Sequence, residues 1–114
     1  MIEFWHQATP FGNICLECAG HAGFASKGRD IICAAASILM ESTAEALKKS
    51  GAPGMQVTVN EEAPKYIIKC RMTQETAEIV RTAICGFEMM AREAPEYVSC
   101  HRMTAEENPR KKNM

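Results

Sequence analysis

The chain has 114 residues, the length of one domain, and 46% of them are hydrophobic, enough to bury a core of its own. A formal charge of -1 gives no support to nucleic acid or an anionic membrane as a main partner. No apolar run approaches the roughly 20 residues of a spanning helix. The opening residues 1–6 lack the basic-then-apolar order of an export signal, so a cytoplasmic location is expected.

Residues 2–7 alternate Ile2, Phe4 and His6 against Glu3, Trp5 and Gln7, the period of a strand. Residues 9–13 supply turn chemistry, and Ile14, Leu16 and Cys18 then alternate again, which predicts a hairpin. Gly20, Gly23 and Gly28 mark the stretch from 20 to 29 as a mobile loop. Asp30 is expected to cap the next element, a helix carrying Ile32, Ala35, Ala36, Leu39, Met40, Thr43 and Leu47 at helical spacing. Gly51 and Pro53 stop it. Residues 55–59 and 65–72 read as a second strand pair. Thr73 is the expected N-cap of a second helix, with Ala77, Val80, Ile84, Phe87 and Met90 as its buried stripe and Pro95 beyond its end. Residues 97–103 suit a short last strand, and 105–114 form a polar tail expected to be disordered. The order predicts a single α/β domain over residues 1–104. It is a two-layer sandwich of two β-hairpins and two helices (ββαββα), the sheet mainly antiparallel and both helices on one face. Trp5, out of phase with Phe4, falls on the other face.

Cysteines stand at 15, 18, 33, 70, 85 and 100. Without an export signal they read as reduced thiols rather than a disulfide framework. Cys70 and Cys85 lie on apolar segments and are expected in the core, as is the Met89–Met90 pair; Cys15 and Cys18 suit buried or edge positions. Cys33 is different. With Asp30 as N-cap, Ile31, Ile32 and Cys33 form the first helical turn, where amides lack partners and the helix dipole favours the reactive thiolate. Ser37 follows one turn later on the same face. The base must come from elsewhere, and of His6, His21 and His101 the loop histidine His21 is best placed to fold back on the helix start. A cysteine activated by a histidine is the nucleophile of acyl-transfer enzymes, and unpaired first-turn amides suit a developing oxyanion. On spacing alone, Cys33 among isoleucine and alanine is also an ordinary small core residue, and His21 between glycines an ordinary solvated one.

The stretch Gly20-His21-Ala22-Gly23-Phe24-Ala25, followed by Gly28-Arg29-Asp30-Ile31-Ile32-Cys33-Ala34-Ala35-Ala36-Ser37, resembles the signature of the ribosomal-processing cysteine protease family Prp, formerly a domain of unknown function. The family pattern reads G-H-A-G-[YF]-A, then G-x-D-[IVL]-[VI]-C-A-A-x-S. Twelve positions separate His21 from Cys33, as in the family. The resemblance implies a cytoplasmic bacterial endopeptidase that removes a short N-terminal extension from large-subunit ribosomal protein L twenty-seven. It makes His21 the general base and Cys33 the nucleophile, with Asp30, Ser37, Gly20 and Gly23 in supporting positions. It further implies a homodimer, a mobile histidine loop that closes over substrate, and no cofactor. Cys15, Cys18 and the Cys100–His101 pair fall outside the pattern.

Two rival readings remain. Cys15-x-x-Cys18-x-x-His21 has zinc-like spacing, with Cys33, Cys100 or His101 as fourth ligand. Residues three apart on a strand point to opposite faces, which opposes it, and no metal is expected. A non-catalytic ribosome-associated module is the other. The tail residues Arg110, Lys111 and Lys112 are more simply solvating than RNA-binding.

Overall fold

The computed structural model describes residues 1–9, 12–20, 27–60 and 62–103, the side chains of 27–30 excepted. The expected tail over 105–114 lies outside the described residues.

Period-two alternation forms β1 (Ile2–Ala8) and β2 (Asn13–Ala19), which pair antiparallel with Phe4 opposite Cys18. Their turn is closed by Thr9, whose hydroxyl accepts the Asn13 amide at 3.1 Å. The predicted second pair is also present. β3 (Gln56–Asn60) and β4 (Lys65–Arg71) run antiparallel with Val57 opposite Ile68. Asn60 Oδ1 accepts the amides of Glu62 at 3.0 Å and Ala63 at 3.2 Å, an Asx turn that reverses the chain. β2 pairs antiparallel with β4 and joins the two hairpins.

Between the hairpins lies α1 (Lys27–Lys49). It begins three residues before the expected cap at Asp30. Lys27 and Arg29 are good helix formers, and a single glycine at 28 weakens a first turn by about 1 kcal/mol without stopping it. Its far end is where glycine and proline place it. Gly51 takes φ +72°, the left-handed stop that glycine accepts without strain, and the Ala52 amide donates to the Leu47 carbonyl at 3.0 Å. α2 (Gln74–Glu93) starts at the predicted cap. Thr73 accepts the Thr76 amide at 3.0 Å, and Thr76 Oγ1 accepts the Thr73 amide at 2.7 Å, a reciprocal capping box.

β5 (Val98–Arg102) adds a parallel edge strand beside β1, Ile2 opposite Val98, so the five-stranded sheet is mixed, in the order β3-β4-β2-β1-β5. Both helices cover one face. Ile2, Phe4, Leu16, Ile68 and Val98 from the sheet are buried against Ala36, Met40, Leu47, Val80 and Phe87. Phe4 and Phe87 stack at 3.9 Å between ring centroids. The other face carries Trp5, as expected, stacked at 4.0 Å on His101, whose ring also meets Ser99 Oγ at 2.9 Å.

Two core assignments are corrected. Cys85 is exposed, and so is Met89, 51% accessible. The buried face of α2 runs Thr76, Val80, Ala83 and Phe87. At about 100° per residue, positions two away from Phe87 point to solvent.

Candidate active site

Cys33, Ser37 and Glu41 recur every four residues along α1 and line one open cleft of about 380 Å³. The opposite wall is Val59 of β3 and Tyr66 of β4, which are cross-strand partners. Cys18 of β2, paired with Tyr66, also lines the cleft, as do Gly20 and Pro64. Cys33 is half-buried and packs against the core beneath it, so the helix presents the sulfur to the cleft from a fixed support.

Gly20 follows β2 with φ +96°, and its amide donates to the Pro64 carbonyl at 3.0 Å. A Cβ there would run into the Met1 carbonyl oxygen, so both conformation and space require glycine. The next residue in the chain is His21. The proposed base thus follows directly on a cleft residue, while His21 and Gly23 themselves lie outside the described residues. Asp30 falls inside the first turns of α1 rather than at its cap.

That earlier start corrects one chemical expectation. Cys33 is the seventh residue of α1, and in an α-helix its amide bonds to the carbonyl four residues back. The partnerless amides belong to the turn before it. The amides of Ile31, Ile32 and Cys33 are therefore not available as an oxyanion cradle.

The electrostatics separate the cysteines. The Cys18 thiol is pushed up to about 12, by burial first, then by charge on Cys33 and on Glu17. Burial and then Glu88 lift Cys100 to about 11, and burial raises Cys70. These three stay protonated at neutral pH and are poor nucleophiles. Tyr66 is also held above its ordinary value, by burial and then by Glu41. Cys15 and Cys18 do stand on opposite faces of β2. Cys18 sits opposite Phe4 on the core side, whereas Cys15 sits opposite Lys69. The zinc-like spacing thus cannot converge on one ion through that pair.

Sequence reasoning placed Cys33, Ser37 and Gly20 in the site and missed Glu41, Cys18, Val59 and Tyr66. The four-residue helical step reaches Glu41 from Ser37. The others depend on which strands become neighbours.

The comparisons with known proteins identify the family and the fold. The family model for cysteine protease Prp matches residues 2–99. A crystal structure of the essential ribosomal processing protease Prp from S. aureus, bound to a covalently linked product peptide, superposes with a TM-score of 0.78 at 19% identity, covering 90% of this chain and 100% of that one. The Streptococcus mutans protein SMU.848 superposes at 0.75 with 26% identity, covering 91% of this chain and 95% of that one. A comparison with curated proteins finds no match. With the family model spanning nearly the whole described chain, the protein belongs to the cysteine protease Prp family.

Proposed function

We propose that the chain is a cytoplasmic cysteine endopeptidase that removes the short N-terminal extension of the ribosomal protein L twenty-seven precursor, acting as a homodimer. Cys33 is its nucleophile and His21 its general base. The observation that carries this reading is the position of Cys33 in an open cleft that is also lined by Gly20, the residue directly before His21. Membership of a cysteine protease family supports it. The S. aureus relative has been seen with a substrate peptide, which favours a peptide as the occupant of the corresponding cleft.

His21 takes the thiol proton, and the Cys33 sulfur attacks the scissile carbonyl. The protonated imidazole then delivers its proton to the leaving amine, and water releases the acyl-enzyme. Ile2, Met40, Val59 and Tyr66 give the cleft an apolar lining that suits an extended apolar segment of substrate. Ser37 stands one turn from the nucleophile, and Asp30 one turn before it on the same helix. Gly20 anchors the chain immediately before His21, and Gly23 follows that histidine two residues later. Neither a metal nor a cofactor has a step in this chemistry. No helix among the described residues is long and apolar enough to cross a membrane.

The test is to mix the protein with unprocessed L twenty-seven and follow the product by mass. Wild type releases the extension. Cys33→Ala abolishes release, and His21→Ala slows it by about 10²–10⁴-fold, the usual contribution of a general base. Circular dichroism verifies that both variants are folded. Cutting that persists in Cys33→Ala rejects the assignment, and an uncut precursor with wild type rejects the substrate. Sedimentation equilibrium reads the dimer.

A further inference from the structure

The cleft holds a second sulfur that the peptidase mechanism does not use. Cys18 projects from the core side of β2, where its neighbours across the strands are Phe4 and Tyr66. Cys33 projects from the face of α1 that covers this side of the sheet. Both line the same cleft, and both pack against the same apolar core. The other thiols are elsewhere: Cys15 on the opposite sheet face, Cys70 within the core, Cys85 on the exposed side of α2 and Cys100 on the edge strand β5.

From this arrangement we infer that Cys33 and Cys18 form an oxidative modification site, in which Cys18 resolves oxidised Cys33 as a reversible disulfide and so protects the nucleophile from irreversible oxidation. The inference rests on the reading of Cys33 as the nucleophile. The oxidant it names is hydrogen peroxide. Cys33 thiolate attacks one peroxide oxygen, the O–O bond breaks and hydroxide leaves, so that sulfur is oxidised to sulfenic acid and peroxide is reduced. The Cys18 sulfur then attacks the Cys33 sulfur. An S–S bond forms, the S–O bond breaks, and the oxygen leaves as water with the Cys18 proton. A dithiol reductant reverses the link by exchange.

Two features bear on the rate. The nearness of the sulfurs is felt as charge, since ionised Cys33 helps to hold Cys18 protonated. Once Cys33 is sulfenic acid that charge is gone, and burial and the charge on Glu17 remain, so closure is slow relative to that of an exposed resolving thiol. Cytosolic disulfides are typically transient and redox-linked, which fits a reversible bond rather than a structural one.

The experiment exposes the full-length protein to hydrogen peroxide, quenches it by alkylation, and reads peptides by mass without reduction, alongside cleavage activity before and after dithiothreitol. In wild type, a peptide pair joined through Cys18 and Cys33 and lighter by two hydrogens should accumulate. Activity should fall in proportion to it and return on reduction. In Cys18→Ala, compared with its own untreated activity, peroxide should carry Cys33 on to sulfinic acid, and reduction should not restore cleavage. Cys18→Ser provides a second variant should alanine disturb folding. Wild-type Cys33 reaching sulfinic acid as fast as in Cys18→Ala, or pairing with Cys33 of a second copy instead, overturns the inference. A Cys18–Cys33 link that leaves cleavage undiminished upholds the modification site and refutes Cys33 as the nucleophile.

Discussion

The Gly20 amide donates to the Pro64 carbonyl at 3.0 Å, tying the end of β2 to the start of β4 at the mouth of the cleft. This bond fixes the point from which the chain continues to His21. Gly20 holds φ +96° with no room for a Cβ beside the Met1 carbonyl. Gly20→Ala is therefore expected to destabilise the fold by about 1–3 kcal/mol, the range for a residue forced into a sparsely populated backbone region. It should also lower cleavage by more than the unfolded fraction explains. Urea denaturation and cleavage assays on the same preparation check both parts, and a stable, fully active variant would refute the positioning role.

Ser37 lines the cleft one turn beyond Cys33 and is exposed. Ser37→Phe fills the space next to Cys33. The expected outcome is a loss of kcat/KM on the order of 10²-fold through substrate misplacement. Stability should stay within about 0.5 kcal/mol, as for other surface changes. Ser37→Ala separates bulk from chemistry: a similar loss there would assign the hydroxyl a part in the reaction.

The parts of this molecule legible in the sequence are those set by local rules. Alternation in residues 2–7 and 14–18 marked the first hairpin, Thr73 opened α2 and Gly51 closed α1. A local signal also misled: Gly28 made the residues before Asp30 read as loop, whereas the helix starts at Lys27 and carries Cys33 out of its first turn. The parallel docking of β5 on β1 is a long-range pairing that no local pattern records. The cleft was only half legible for the same reason. Helical spacing brings Ser37 near Cys33. Cys18 and Tyr66 meet only because β2 pairs with β4 in one register, and a slip of a single residue would turn every side chain of that strand to the other face.

Phe4 and Phe87 are both fully buried and stack with ring planes 3° apart, joining β1 to α2. Phe87→Ala removes one ring from a packed core. It is expected to destabilise the protein by about 3–5 kcal/mol, transfer and cavity terms together. Thermal unfolding should shift by about 4 °C per kcal/mol for a domain of this size. Phe87→Leu should recover part of the loss. A shift of a degree or two for alanine would mean that the stack contributes little.

Alkaline pH should weaken the fold, most through the two thiols raised furthest. Burial, then charge on Cys33 and Glu17, raises Cys18 from an ordinary 9.0 to about 12, and burial with Glu88 raises Cys100 from 9.0 to about 11. Below pH 9.0 both thiols are protonated in folded and unfolded chains alike, and their full contribution to stability is present. As pH rises past that value the unfolded chain releases these protons while the folded chain keeps them. The folded state then binds more protons, and stability falls with pH until about 11 for Cys100 and about 12 for Cys18. The slope has an upper limit of about 1.4 kcal/mol per pH unit for each thiol, and less for Cys100, which is half-exposed and screened by water. Denaturant midpoints at a series of pH values from about 8 to 10 measure it. Cys100→Ala should flatten part of the decline and Cys18→Ala more of it. An unchanged slope in the double variant would place the alkaline sensitivity in other groups.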